Sequence, residues 1–207
     1  MFPVTDDQGA IEAMRSKVSD LGLSISAYGV VRFTKDVAAN RTIFAFAKAA
    51  GIRIISADPD PDSFASLDDL VREFDVRVAI HNHGPTHRYN RVVDVLAAIE
   101  KHDRRIGACA DLGHYIRSGE PPVEVIRALQ GRLYGIHLKD FAEMKDKTRG
   151  VILGKGHIDL PALFAALDQV GSPVDGAISI EYEEKPQDPI ADIRACLEAA
   201  RAAMAAA

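Results

Sequence analysis

Two histidines one residue apart, His81 and His83, stand where the apolar run Val76 to Ile80 gives way to Gly84 and Pro85. Successive side chains of a strand point to opposite faces, so the pair shares a face at the strand's C-terminal tip. Binding residues often sit where a strand passes into a loop, and a neutral imidazole there can hold a metal or carry a proton. Three more apolar runs end in the same manner: Asp111-Leu112-Gly113-His114, His137-Leu138-Lys139-Asp140 and Glu181-Tyr182-Glu183. Two imidazoles and two carboxylates, His81, His137, Asp111 and Glu181, suit one divalent ion of Mn, Co, Fe or Zn better than Mg or Ca, which prefer all-oxygen shells. Each residue also has a plainer role open to it. Asp111 can cap the turn at Gly113, His137 can be a satisfied core histidine, and Glu181 can pair with Lys139. What favours a common role is that all four fall at corresponding ends of successive strands.

To bring such ends together, the chain must alternate strands with helices that cover them. Apolar residues at spacings of three and four predict helices over Ala10 to Leu21, Asp36 to Ala50, Asp62 to Phe74, Tyr89 to His102, Pro121 to Leu129, Leu160 to Val170 and Pro189 to the end. Between them, strands are expected over Leu23 to Val31, Ile52 to Ala57, Val76 to His83, Ile106 to Asp111, Leu133 to Leu138 and Ala177 to Tyr182, with a polar loop from Ala142 to Gly156. Strict alternation with continuous apolar strands means a parallel sheet covered by helices. Polar residues at nearly every strand end fit a β/α barrel, and no Gly-rich phosphate fingerprint follows the first strand. A complete TIM barrel has eight strands and typically about 250 residues. This chain of 207 residues carries six. The expectation is one barrel domain over 1–207 that lacks its first strand–helix–strand unit, with two open sheet edges that a homo-oligomer or a partner would cover.

Composition narrows the partners. A net charge of −5 without a Lys/Arg cluster argues against nucleic acid. No apolar run is long enough for a membrane span, and Met1 to Gly9, with Asp6 and Asp7, does not read as a signal peptide. The two cysteines, Cys109 and Cys196, form no C-x-x-C, so a reduced, cytoplasmic setting is expected.

Taken as a set, Ile80-His81-Asn82-His83-Gly84, Asp111-Leu112-Gly113-His114, His137-Leu138-Lys139-Asp140, Gly154-Lys155-Gly156-His157-Ile158-Asp159 and Ile180-Glu181-Tyr182-Glu183 resemble the sugar phosphate isomerase/epimerase superfamily. That superfamily has the xylose-isomerase-like barrel and includes ketose epimerases, inosose dehydratases and AP endonucleases. The resemblance runs from Ser24 to about Glu184. It implies a divalent metal held by Asp111, His137 and Glu181, with His81 where the family's first glutamate usually stands. It also implies a substrate-binding role for His114 and a place for His83 in or beside the metal's shell.

The departure at His81 matters, because the carboxylate it replaces doubles in the epimerases as one of two acid/base groups flanking the substrate. With His81 on the metal, Glu181 alone supports a one-face proton shuttle or a β-elimination, and His83 or His114 can supply a second proton transfer. The expected chemistry is isomerisation or epimerisation of a sugar or keto-polyol through an enediolate, with Glu181 as base and Lys139 neutralising developing negative charge. A dehydratase or lyase acting on a keto-inositol or 3-keto sugar is the alternative, and a non-catalytic or partner-completed barrel fragment is a further one. A nuclease is disfavoured, because Arg149-Gly150-Val151 stands where the AP endonucleases carry an Asp-x-His pair. Lys145, Lys147 and Arg149 place positive charge in the loop beside the site, where it can close over an anionic or polyol substrate.

Overall fold

Aspartates punctuate the chain. In a computed structural model describing residues 3–171 and 177–206, Asp7 starts helix α1 (Gln8–Asp20), Asp36 starts α2 (Val37–Ala49), Asp111 starts α5 (Leu112–Arg117) and Asp159 starts α7 (Leu160–Val170). Each offers a carboxylate oxygen to a backbone N–H two or three residues on, at 2.8 to 3.1 Å, satisfying donors the helix itself leaves free. The remaining helices are α3 (Phe64–Phe74), preceded by one 3-10 turn, α4 (Val92–Ile99), α6 (Pro122–Ala128) and α8 (Ile190–Ala206). No helix among the described residues is long and apolar enough to cross a membrane.

Among the described residues, six parallel strands lie in the order β1 (Tyr28–Phe33), β2 (Ile54–Pro59), β3 (Arg77–His81), β4 (Ile106–Asp111), β5 (Leu133–Leu138) and β8 (Ala177–Ile180). This is a partial β/α barrel, as the alternation predicts. Between β5 and β8 a two-residue antiparallel ladder joins β6 (Asp140–Phe141) to β7 (Gly150–Val151), within and beside the stretch read as a polar loop.

Several boundaries differ from the sequence reading. The first strand is expected from Leu23 but begins at Tyr28, which is registered with Ile55, the second residue of β2. Ile52 is taken by the end of α2, its N–H donating to Ala47 O at 2.8 Å, and β2 therefore starts at Ile54. Tyr89 is bonded through its backbone to His83 and His87, which holds α4 back to Val92. The short helix α5, where only a turn was expected, forms because Asp111 caps it.

The sheet's two faces differ sharply. Ile55, Ala57, Val78, Ile80, Ala108, Ala110, Ile136 and Leu138 alternate along the strands and pack under the helices in one large core. The opposite, inward face carries a small apolar cluster of Ile54, Ala79 and Cys109, with Ala27 and Tyr134 packed against it. Further along that face Ser56, Cys109, Gly135, His137 and Ser179 line a cavity of about 170 Å³.

Candidate metal centre

Two residues beyond Ala79, Cys109 and Gly135 on the inward face come His81, Asp111 and His137, and Glu181 follows directly after β8. The period of two thus puts one polar side chain from each of four adjacent strands at the mouth of the barrel. One ligating atom from each of the four can be chosen so that all lie within 4.8 Å of one another. His81 Nε2 is 3.1 Å from His137 Nδ1 and 3.7 Å from Asp111 Oδ2, and Glu181 Oε2 closes tightly on His137 Nδ1.

Asp111 divides its two oxygens. Oδ1 caps α5 at His114 N, 2.8 Å away, while Oδ2, in a side chain with 0 % exposure, has no hydrogen-bond partner among the described residues. Asn82, facing away from the two histidines, braces the same residue: its amide donates to Asp111 O at 3.0 Å and accepts from Asp111 N at 2.8 Å. Those two bonds replace the strand ladder, and β3 ends at His81 rather than His83. His83 lies just outside the strand, half-buried, with its ring 4.8 Å from His81 and 5.1 Å from His114. On its other side stands His87, whose Nδ1 accepts from Tyr89 N–H and whose Nε2 is 3.4 Å from Asp58.

Burial and close contact pull the charges of the cluster in opposing directions. Burial, with His137 and His83 as like-charged neighbours, pushes His81 down to about 3, and burial beside Lys139 pushes His114 down to about 3. Burial also lifts Asp111 to about 7 against the pull of Lys139. His137 rises to about 10: burial opposes its charge, but hydrogen bonds to Cys109 and Glu181 prevail. Burial likewise works against the Glu181 carboxylate, yet His137 and Lys139 hold it far below the ordinary range. Lys139, nearly buried, bonds Glu181 Oε1 at 2.9 Å and Glu183 Oε2 at 2.6 Å, and lies 4.0 Å from Asp111 Oδ2.

The donor set fits a divalent ion. An unpartnered buried carboxylate oxygen faces two imidazole nitrogens set against each other at 3.1 Å, with a second carboxylate beside them. Two nitrogens and two oxygens are a borderline set suited to Zn, Mn, Fe or Co. Such an ion would take the protons' place between the facing groups.

Asp140, next to Lys139 at a neighbouring strand end, takes no part. Its Oδ1 accepts from Phe141, His157 and Ile158 N–H at 2.8 to 3.2 Å, and its Oδ2 accepts from Gly154 and Gly156 N–H at 2.9 and 3.0 Å. The Gly154-Lys155-Gly156-His157-Ile158-Asp159 segment is the cradle of this carboxylate, closed by the Asp159 cap of α7. A Cβ at Gly156 would come within 2.1 Å of Phe141 O and 2.5 Å of Asp140 Oδ1, so only glycine fits. Lys145, Lys147 and Arg149 are exposed, and Lys145 pairs with Glu143. Sequence reasoning passed over Asn82 and Arg117. Asn82 had a signal, being the one residue between the histidines on the opposite face, whereas Arg117 had none.

Comparison with known proteins gives the same frame. A family model described as the xylose isomerase-like TIM barrel matches residues 2–202. An inosose dehydratase of Lacticaseibacillus casei is 29% identical over 136 residues, 58% of this chain and 45% of that enzyme, so the match spans less than half the relative's length. Among solved structures, a 3-keto-D-glucoside 4-epimerase from E. coli superimposes with a TM-score of 0.74 at 16% identity, covering 94% of this chain and 85% of that one. The IOLI protein, solved with a bound zinc atom, has a TM-score of 0.69 at 15% identity, covering 92% and 81%.

Proposed function

The chain belongs to the xylose isomerase-like TIM barrel family, and from that premise we propose that it is a divalent-metal-dependent enzyme of a sugar or keto-polyol, working by proton removal beside a carbonyl. The observation that carries this reading is the convergence of His81, Asp111, His137 and Glu181 around an Asp111 oxygen that the protein leaves without a partner. A bound ion would supply Lewis-acid polarisation of a carbonyl and an adjacent hydroxyl.

The residues divide the remaining work. Glu181, ionised and the most accessible of the four, takes the proton from the carbon beside the carbonyl. Lys139, anchored by Glu181 and Glu183, places a fixed positive charge where negative charge grows on the enediolate oxygen. His83 lines the mouth beside His81, where it meets the substrate. Returning the proton to the neighbouring carbon, with the hydroxyl proton passed from one enediolate oxygen to the other, completes an isomerisation.

His81 gives a second reading its footing. A buried imidazole in the ion's shell leaves Glu181 as the one carboxylate base, which serves elimination of a β-hydroxyl as well as isomerisation, and the inosose dehydratase similarity supports that outcome. Incubating the Mn²⁺-, Co²⁺- or Zn²⁺-reconstituted protein with keto-inositols and ketoses in D₂O tests both readings. Deuterium in recovered or isomerised sugar marks a proton shuttle, and an unsaturated ultraviolet-absorbing product marks dehydration. A fully loaded protein that yields neither across both substrate sets would overturn the enzyme reading.

A further inference from the structure

One turn beyond His114 on α5, Arg117 lies outside the ligand cluster and touches the histidine that borders it. Its Nη1 is 3.3 Å from His114 Nδ1. Its Nε donates to Asp146 O at 2.9 Å, and its Nη2 donates to Asp146 Oδ1 at 3.0 Å. The guanidinium carbon stands 5.8 Å from the centre of the Phe141 ring, and Gly84 leaves room for it, since a Cβ there would meet Nη1 at 2.9 Å.

A guanidinium has donors only and stays charged. His114 Nδ1 therefore accepts, and the single proton of the ring belongs on Nε2. That nitrogen faces the cluster, 3.9 Å from Asp111 Oδ2, beyond hydrogen-bonding length, so its N–H is not consumed there. His83 flanks the same ring.

We propose that Arg117 is a positioning residue: it fixes His114 as the Nε2–H tautomer, a hydrogen-bond donor aimed into the mouth of the centre. Through Asp146 it also ties that donor to the loop between β6 and β7. The role of the donor, gripping a hydroxyl or carbonyl oxygen of the substrate, rests on the function proposed above, whereas the tautomer does not. This assignment gives His114 the work of holding an oxygen instead of the second proton transfer.

The test is two-bond ¹H–¹⁵N correlation of the histidine rings in the full ¹⁵N-labelled chain, with and without Zn²⁺, assigning His114 by its loss in His114→Asn. The expected result is a protonated Nε2 and an unprotonated Nδ1 in the native chain, a mixture of tautomers in Arg117→Met, and recovery of the native pattern in Arg117→Lys, which keeps one donor. Zn²⁺ affinity should stay within about threefold across these variants, since none removes a ligand. A native His114 protonated on Nδ1, or a folded Arg117→Met with an unchanged tautomer, would overturn the proposal. The native spectrum decides even if a variant does not fold. Failure of the native chain to bind Zn²⁺ would instead overturn the metal-centre reading, leaving the tautomer measurement on the ion-free chain intact.

Discussion

Asp111 ends β4 and Asp140 follows the adjacent strand β5, with exposures of 0 % and 1 %. Asp140 accepts five backbone N–H bonds and has no oxygen to spare, whereas Asp111 accepts one with Oδ1 and leaves Oδ2 bare. Burying a carboxylate is costly unless its lone pairs are met. Where the fold meets all of them, as at Asp140, the charge is a fastening. Where the fold meets only some, as at Asp111, the residue has room for something from outside.

The largest effect that can break this contrast is on stability. Asp140→Ala strands five donors, some of them buried, and should lower the unfolding free energy by at least about 3 kcal/mol in urea denaturation. A loss under about 1 kcal/mol would show that the cradle fastens nothing. Asp111→Asn should do the reverse: it keeps the cap on α5, so stability changes by about 1 kcal/mol or less, while affinity for Zn²⁺ or Mn²⁺ falls more than about 100-fold by titration calorimetry. Native-like metal affinity in that variant would remove Asp111 from the centre. Gly156→Ala should destabilise by about 1 to 3 kcal/mol, because the new methyl collides with the Phe141 carbonyl and the Asp140 carboxylate, yet the folded protein should bind metal as before.

The smallest effect is a pH slope. In the ion-free protein His137 holds its proton up to about 10, and an ion can take its Nδ1 only after that proton leaves. Affinity should therefore rise with pH by about tenfold per unit above pH 7. Below pH 7 the slope steepens, because Asp111, raised to about 7, must release a second proton. Calorimetry in buffers of different ionisation enthalpy counts the protons released, and a flat profile from pH 6 to 9 would contradict the assignment of these ligands.

Much of this was legible before any coordinates. Apolar runs of the right length marked the strands, and period two then put His81, Asp111 and His137 on one face at corresponding ends. Asp140 was the misleading neighbour. Its type and position match a ligand as well as Asp111 does, and only the path of the backbone from Gly154 to Ile158 reveals that its oxygens are spent. The plainer reading of Asp111 as a cap describes one oxygen, and the sharper one as a ligand is the proposal for the other. Arg117 was invisible because its partners, His114 and Asp146, meet through the return of a loop, and helical spacing accounts for only the first of them. The strand starts at Tyr28 and Ile54 shifted because pairing, not hydrophobicity, decides where a ladder begins.

Asn82 carries a mechanical consequence. Its amide grips the backbone of Asp111 from both sides, so the tips of β3 and β4 are clasped by a cross-brace beyond the last rung of their ladder. His81 and Asp111 are bound to travel as one rigid jaw when the barrel breathes. His137 and Glu181, on strands held together by the ladder and by Glu181 N–H on Leu138 O, form the other. The β4–β5 ladder also runs up to Asp111 and His137, so the two jaws are joined at their tips and the four strand ends should move together.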